Sequence, residues 1–583
     1  MPFDAQTGLH TSPYPDAELP SQPLSIFHFV FGGRDGGFER SSASENPLWL
    51  IEANTGRKVT RDDAYHRTLD VARAFQARGV KDGDAVVVFS PNHVDYGPWV
   101  WGAFRQGAVV CCANPGYTAE ELAHQLRIVN AAHAVKTILV QPGAVYTAVK
   151  ACKKSGLPSE LIVTVGSPKS VEGFTVLDDL VKSTQNHPLP SEVFLKTEEA
   201  RTKVALLLFS SGTTGLPKAV AIPHSSVVVN VLQIAQHWKC TSFLTPYNQE
   251  TGEGDVVMAC LPFFHAYGLI VILHAVLFAG HPAVVLNRFV FPDFLAAIER
   301  YRVSQLYLVP PMLVALVKLD LTKRYDLSSM RIVGAGAAPV TEETFASFQA
   351  KFPGVKTGGG FGMTETATLI ALMDPSFPGG FPGASAGVLL PIVQAKIVSP
   401  DGKALPPGEV GELLIRSPAN ALGYLNNEAA TRETFDLEGF VHSGDACYLD
   451  ANGLLFVVDR IKELIKVSAY QVAPAELEGH LLTHEDVQDV CVIGIPHERT
   501  GEAPKAYIAL TPSAASRLAN DPSAHSALIA SIKQFVLDHK VKYKALAEVE
   551  IVDSIPKTPS GKLLRKDLRT LHAKKSKMEK AKM

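Results

Sequence analysis

The residues best suited to chemistry in this 583-residue chain begin in one stretch, 206–218. There an apolar run empties into Ser210, Ser211, Gly212, Thr213, Thr214 and Gly215, and the stretch closes on Lys218. Small residues let backbone N–H groups converge on a polyphosphate without obstruction by Cβ atoms. The hydroxyls of Ser210, Ser211, Thr213 and Thr214 add donors, and Lys218 adds a point charge. This is not a Walker A loop, because Leu216 and Pro217 separate the second glycine from the lysine. The dinucleotide pattern GxGxxG is absent as well. By residue type alone the alternative is a polar turn at the end of a strand, although so many hydroxyls and glycines are costly to order without a ligand.

Four further positions invite a chemical reading. Gly360, Phe361 and Gly362 lead into Thr364 and Glu365, where Phe361 could stack on a flat base or simply fill a core. Glu365 beside Thr364 offers hard oxygen ligands of the kind Mg²⁺ takes together with phosphate. Asp445, just after Gly444, could accept two ribose hydroxyls or sit on the surface. His265 interrupts an apolar run, where a satisfied core histidine is the alternative to a substrate-placing one. Lys562 follows Pro559, Ser560 and Gly561, a rigid turn able to present an amine into a cleft. Nine Lys and Arg fall between 562 and 582, so a solvated lysine is the alternative there.

Taken in order, these segments resemble the adenylate-forming superfamily of acyl- and aryl-CoA synthetases, firefly-type luciferases and nonribosomal adenylation domains. The resemblance runs over about 45–569 and includes Asn114–Thr118, Pro262–Gly268, Gly362–Glu365, His442–Asp445, Asp459–Lys466 and Pro559–Lys562. Within the superfamily the chain is most similar to 4-coumarate–CoA ligases and fungal aryl- and acyl-CoA ligases. The resemblance implies ATP, Mg²⁺ and coenzyme A, with a small carboxylic acid, aryl or medium-chain, as the other substrate. A carboxylate oxygen would attack the α-phosphate of ATP and release pyrophosphate. The CoA thiol would then attack the acyl-adenylate and release AMP.

Site roles follow from the same resemblance. Gly336, Ala337, Ala338 and Pro339 would form the adenine shelf and one wall of the acyl pocket. Thr364 would lie near the α-phosphate, Glu365 and Thr214 would hold Mg²⁺, and Asp445 and Arg460 would bind ribose. His265 would orient the carboxylate, and Lys562 would serve adenylation. Rotation of the small domain about Lys462 would bring a second face to the site, with Lys466, Ala469 and Tyr470 toward CoA. The chain departs from its relatives at Ala469, where they carry glycine, at Ser443 for threonine, and at Gly359 for glutamine. Gly359, Gly360 and Ala335 together suggest room in the acyl pocket. The alternatives are an adenylating enzyme with another second step, luciferase-like oxygenation or transfer to a carrier protein, and a binding protein on a dead scaffold. The last is disfavoured by the presence of Thr364, Glu365, Asp445, Arg460 and Lys562 together. Ala581, Lys582 and Met583 resemble a C-terminal peroxisomal address, which implies an import receptor as partner and a peroxisomal location, with the cytoplasm otherwise.

These residues need a scaffold, and hydrophobic patterning supplies it. Apolar runs at 85–89, 108–113, 137–140, 161–165, 204–209, 283–286, 305–309 and 330–333 alternate with helix-period segments, the pattern of a mostly parallel sheet covered on both faces. Capping boxes mark helix starts at Thr60 with Asp63 and at Thr118 with Glu121, while 269–279 reads as a core helix. Shorter strands with Gly and Pro turns follow from about 384, and residues 1–47 read as a loose lead-in. The fold class is therefore α/β. A large N-terminal domain of layered sheets spans 1–459, with a β-rich subdomain at about 384–459. A small, mobile α+β domain spans 460–583, with its hinge near 462 and a basic tail.

Composition narrows the function classes. Lys and Arg number 55 against 58 Asp and Glu, which argues against a nucleic-acid binder. Seven irregularly spaced cysteines fit a reducing compartment. No apolar run is long enough for a transmembrane segment.

Overall fold

The computed structural model describes residues 3–32, 46–166, 171–199, 201–210, 217–338, 340–377, 381–468, 470–521, 523–558 and 561–582. Strands Ala85–Phe89, Val109–Ala113, Val135–Val140 and Val204–Ser210 pair in parallel at the centre of an eight-stranded sheet. Every residue of the first two is buried. Alternation explains why. Val86 and Val88 pack with helices Arg61–Ala77 and Tyr96–Arg105, while Ala85, Val87 and Phe89 pack with Ala119–Ala132 and Val145–Ser155. Both capping boxes form as the sequence predicts, with Thr60 and Thr118 accepting from the Asp63 and Glu121 amides.

A second sheet of fifteen strands changes character at one strand, Lys356–Met363. Its first half runs parallel to Ile332–Ala335. Past a bulge between Phe361 and Gly362 the strand completes an antiparallel pairing with Thr368–Leu372. The β-rich stretch continues that antiparallel half through Gly387–Leu389, Leu454–Arg460, Val441–Leu449, Gly411–Arg416 and Gln394–Val398. The glycine-rich strand therefore lies where parallel pairing meets antiparallel pairing, and a crevice at such a switch is a usual place for a ligand.

The small C-terminal unit has a five-stranded sheet around Val487–His497 and Gly501–Leu510. Helices Pro474–Leu481 and Ala524–His539 cover it and share its own hydrophobic core.

One expectation needs correction and a second holds with a refinement. The described part of the N-terminal lead-in is built into the fold: Leu9–Thr11 pairs with Gln394–Val398, and helix Ile26–Phe31 buries five of its six residues. Its aromatic content explains this, since Phe29 stacks on Phe278 and Phe31 meets Trp49 and Trp101. The helix expected at 269–279 is a π-helix over Tyr267–Val276. Its first turn presses on the Pro262 carbonyl so closely that a Cβ on Gly268 would stand 2.2 Å from that oxygen. Among the described residues no helix is long and apolar enough to cross a membrane.

Candidate active site

Glu365 follows immediately after the switch strand, in a single 3₁₀ turn that begins at Thr364. Its carboxylate is 5% exposed and accepts a hydrogen bond from the Tyr424 hydroxyl at 2.8 Å, while its carbonyl accepts from the Ala421 amide. The Lys218 ammonium stands 4.6 Å from the centre of the Tyr424 ring, and Ser210 also reaches the Tyr424 hydroxyl. Ser210, Lys218, Tyr424 and Glu365 thus make one polar cluster at the paired ends of strands Val204–Ser210 and Lys218–Pro223. Ser211, Gly212, Thr213, Thr214 and Gly215 lie outside the described residues, as do Pro339 and Ala469.

A second cluster adjoins it. Asp445 is buried and forms an ion pair with Arg460 Nε at 2.8 Å across the pairing of Val441–Leu449 with Leu454–Arg460. Burial lifts the Asp445 carboxyl to about 6, against the pull of Arg460 and Lys562, and with smaller pushes from Asp459 and Glu365. Lys562 arrives from the small unit. Its turn is held by the Thr558 amide donating to the Lys562 carbonyl at 2.8 Å and by the Lys562 amide donating to the Thr558 hydroxyl at 3.0 Å. Gly561 takes φ +81° there, a conformation open to glycine and rarely to other residues. Desolvation, and then Arg460, lower the Lys562 ammonium, while Glu365 and Asp445 hold it up. These are mutual charge effects, so Lys562 shares a field with Arg460, Glu365 and Asp445.

The third part is a small cavity of about 20 Å³ lined by Leu261, Pro262, His265, Tyr267, Met312 and Ala337, among others. It holds about one water. Burial drives the His265 imidazole down to about 3, with the Lys562 charge adding to the effect, so the ring is neutral near pH 7. Its Nδ1 accepts the Tyr267 amide at 3.3 Å, which leaves Nε2 as the protonated nitrogen. Ala337 adopts φ +69°, an unfavourable conformation for a residue with a side chain, at the cavity wall. Gly336 lets the chain pass under the Tyr267 ring, and its Cβ position is 3.1 Å from the Gly360 carbonyl. Gly362 likewise meets the Thr368 carbonyl, 1.6 Å from where a Cβ would be. Phe361 and Ala338 are half-buried beside these segments, with Phe361 packed on the core.

Structure and sequence disagree at Gly359. A Cβ there would stand 2.4 Å from the Ser385 carbonyl, so the missing side chain makes room for neighbouring backbone and not for a substrate. Lys466 and Tyr470 lie on the paired strands Ile465–Val467 and Tyr470–Val472 of the small unit. Lys466 is exposed with its amide bound to Glu502 at 2.7 Å. Tyr470 is 55% exposed and stacks on Tyr543 with ring centres 4.2 Å apart. Ser468, beside Ala469, takes φ +56°, so a left-handed residue does occur in this bend. Tyr424 escaped the sequence reading. Its only local signal is Gly423 before an aromatic, and its partner Glu365 is 59 residues away.

Among the described residues no group of three or more His, Cys, Asp or Glu could hold a metal ion by itself. A cation at Glu365 would therefore take most of its ligands from phosphate and water, the habit of Mg²⁺.

The family profile described as AMP-binding enzyme matches residues 39–425, and the one described as AMP-binding enzyme C-terminal domain matches 476–562. The chain is 35% identical to 4-coumarate–CoA ligase 1 of Arabidopsis thaliana over 96% of its own length and 94% of that protein. It is 34% identical to the peroxisomal OPC-8:0-CoA ligase 1 of the same plant over 93% of each. The fold matches the anthranilate CoA ligase AuaEII in complex with anthranoyl-AMP, with a TM-score of 0.80, 24% identity, and coverage of 96% of this chain and 99% of that one.

Proposed function

The chain belongs to the AMP-binding enzyme family, and from that premise we propose that it is an ATP-dependent, AMP-forming carboxylic acid–CoA ligase acting on an aryl acid. The observation that carries the reading is the meeting of Lys562 with Glu365, Asp445 and Arg460 beside the His265 cavity. Two anions, a carboxylate and ATP, must be held together there, and no general base is needed because the acid is already ionised at neutral pH. Neutral His265 presents Nε2–H to the acid and fixes one oxygen, leaving the other to attack the α-phosphorus. Lys562 and Lys218 supply positive charge where the phosphoryl oxygens gain negative charge. Asp445 and Arg460 place the ribose, and the strand Gly360–Gly362 with Ala337 borders the adenine and acyl spaces. Mg²⁺, held by Glu365 with Thr214, would neutralise the departing pyrophosphate. The residues present fit that role, since the Tyr424 hydroxyl orients the Glu365 carboxylate without neutralising it.

In the second half-reaction the CoA thiol attacks the acyl carbonyl and AMP leaves. We assign Lys466, Ala469 and Tyr470 to that step, and of these Lys466 and Tyr470 are exposed while Lys562 is docked. Neither oxygenation nor carrier loading draws support from the relatives, whose names denote CoA ligation. Met312, a flexible unbranched side chain, belongs to the cavity lining and is suited to yield to an aryl acid. The deciding experiment supplies purified protein with ATP, Mg²⁺, CoA and a panel of cinnamate-like, phenylacetate-like and medium-chain acids. Acid-dependent AMP and thioester with aryl acids preferred is the expected result, and no pyrophosphate release with any acid would refute the reading.

We also propose Ala581-Lys582-Met583 as a peroxisomal address, a reading supported by the peroxisomal relative. Deleting it should move an N-terminally tagged protein from peroxisomes to cytosol with activity intact. A full-length protein spread through the cytosol would refute it.

A further inference from the structure

Helix Pro310–Lys318 touches three things at once. Val309, its N-cap, and Met312 line the acyl cavity. The Lys562 turn rests on the same end, where a Cβ on Gly561 would stand 2.9 Å from Val309 Cγ2. At the other end, Lys318 crosses to the small unit and donates its ammonium to the Val487 carbonyl. The ladder between Val487–His497 and Gly501–Leu510 shifts register between Val487 and Asp489. An interrupted ladder of this kind re-aims backbone groups, and here a carbonyl at the interruption receives the lysine.

Charge reinforces the contact. Burial draws the Lys318 ammonium down to about 8, and Asp489 opposes that shift. Asp489 also holds Lys557 at 2.6 Å. Lys557 bridges to Leu563 across the turn that carries Lys562. One carboxylate is therefore attracted by a lysine of the large unit and paired with the base of the catalytic turn. The helix end is itself braced, because Lys351 donates to the carbonyls of Leu316 and Val317 at 2.8 Å and of Leu319 at 3.2 Å. The second crossing nearby is steric. Gly479 packs against Thr341 so tightly that any side chain there would collide. That contact supplies shape, whereas Lys318 supplies the charged hydrogen bond.

We propose that Lys318 is a positioning residue for adenylation: it latches the small unit, through Val487 and Asp489, in the arrangement that brings Lys562 to the α-phosphate. Lys318 touches no substrate and acts through Lys562. The inference rests on the ligase reading with two alternating faces, because only then does loosening one arrangement spare the other.

The test compares wild type, Lys318→Met and Lys318→Arg in two separate assays: acid-dependent ATP–pyrophosphate exchange, and thioester formation from supplied acyl-adenylate and CoA. Methionine keeps the stem and removes the charged donor. Exchange should fall roughly ten- to a hundredfold, the effect of losing one charged hydrogen bond. Thioester formation from supplied adenylate should be unchanged or faster, and Lys318→Arg should recover most of the exchange. Equal loss in both assays, or wild-type exchange in a folded Lys318→Met, would overturn the latch. A protein too unstable to assay as Lys318→Met leaves Lys318→Arg and Asp489→Asn to decide: the latch stands if Asp489→Asn slows exchange alone, and falls if it slows both steps or neither. Failure of the ligase reading looks different, since wild type itself would then show no exchange.

Discussion

Replacing Tyr424 by phenylalanine isolates a contact that links Ser210 and Lys218 to Glu365, the carboxylate proposed to hold Mg²⁺. The ring stays, so the seat for Lys218 4.6 Å from its centre is kept, and only the hydroxyl 2.8 Å from Glu365 is lost. Glu365 is 5% exposed, so water does not readily replace that donor. A hydrogen bond to a charged group contributes about 1.5–3 kcal/mol. At about 1.4 kcal/mol per factor of ten, the first half-reaction should slow by roughly ten- to a hundredfold. The assay is acid-dependent ATP–pyrophosphate exchange across a Mg²⁺ titration. The Mg²⁺ concentration for half-maximal rate should rise along with the drop in rate, because an unheld carboxylate is a poorer ligand. Thioester formation from supplied acyl-adenylate should barely change. A folded Tyr424→Phe protein with the wild-type Mg²⁺ curve would refute the argument and leave Tyr424 a packing residue.

Three further outcomes follow from the same geometry. Lys562→Ala should abolish most adenylate formation, about 10²–10³ in rate, yet still convert supplied adenylate, whereas Lys466→Ala should show the reverse; equal damage to both steps by each would exclude two alternating faces. Asp445 is a carboxylate above about 6 and neutral below it, so the KM for ATP should rise as pH falls through that value, and Asp445→Asn should flatten the profile while raising KM throughout. Gly359→Ala should lower the melting temperature without widening or narrowing acid preference, since the added carbon meets the Ser385 carbonyl at 2.4 Å. Overpacking of this kind costs about 1–3 kcal/mol, and an unchanged melting temperature would contradict the close approach.

The sequence by itself determined what local chemistry can encode. Alternating apolar runs specified the buried parallel strands, because a strand covered on both faces must be apolar throughout. Thr60 with Asp63 and Thr118 with Glu121 marked helix starts to the residue, since both partners of a capping box lie three positions apart. Glu365, Asp445, Arg460 and Lys562 were legible because their motifs stand in a family's order, although 197 residues of chain separate the first from the last. The tertiary structure decided matters that depend on distant backbone. It set Tyr424 against Glu365, put Lys318 on Val487, and filled the space beside Gly359 with the chain at Ser385. It also gave the aromatic lead-in helix a place in the core, where its rings find Trp49, Trp101 and Phe278. The physical reason is common to all four. A glycine or a lysine reads the same in sequence whether its surroundings are open or full, and only the packed neighbours determine whether it leaves a space, closes one, or ties two domains together.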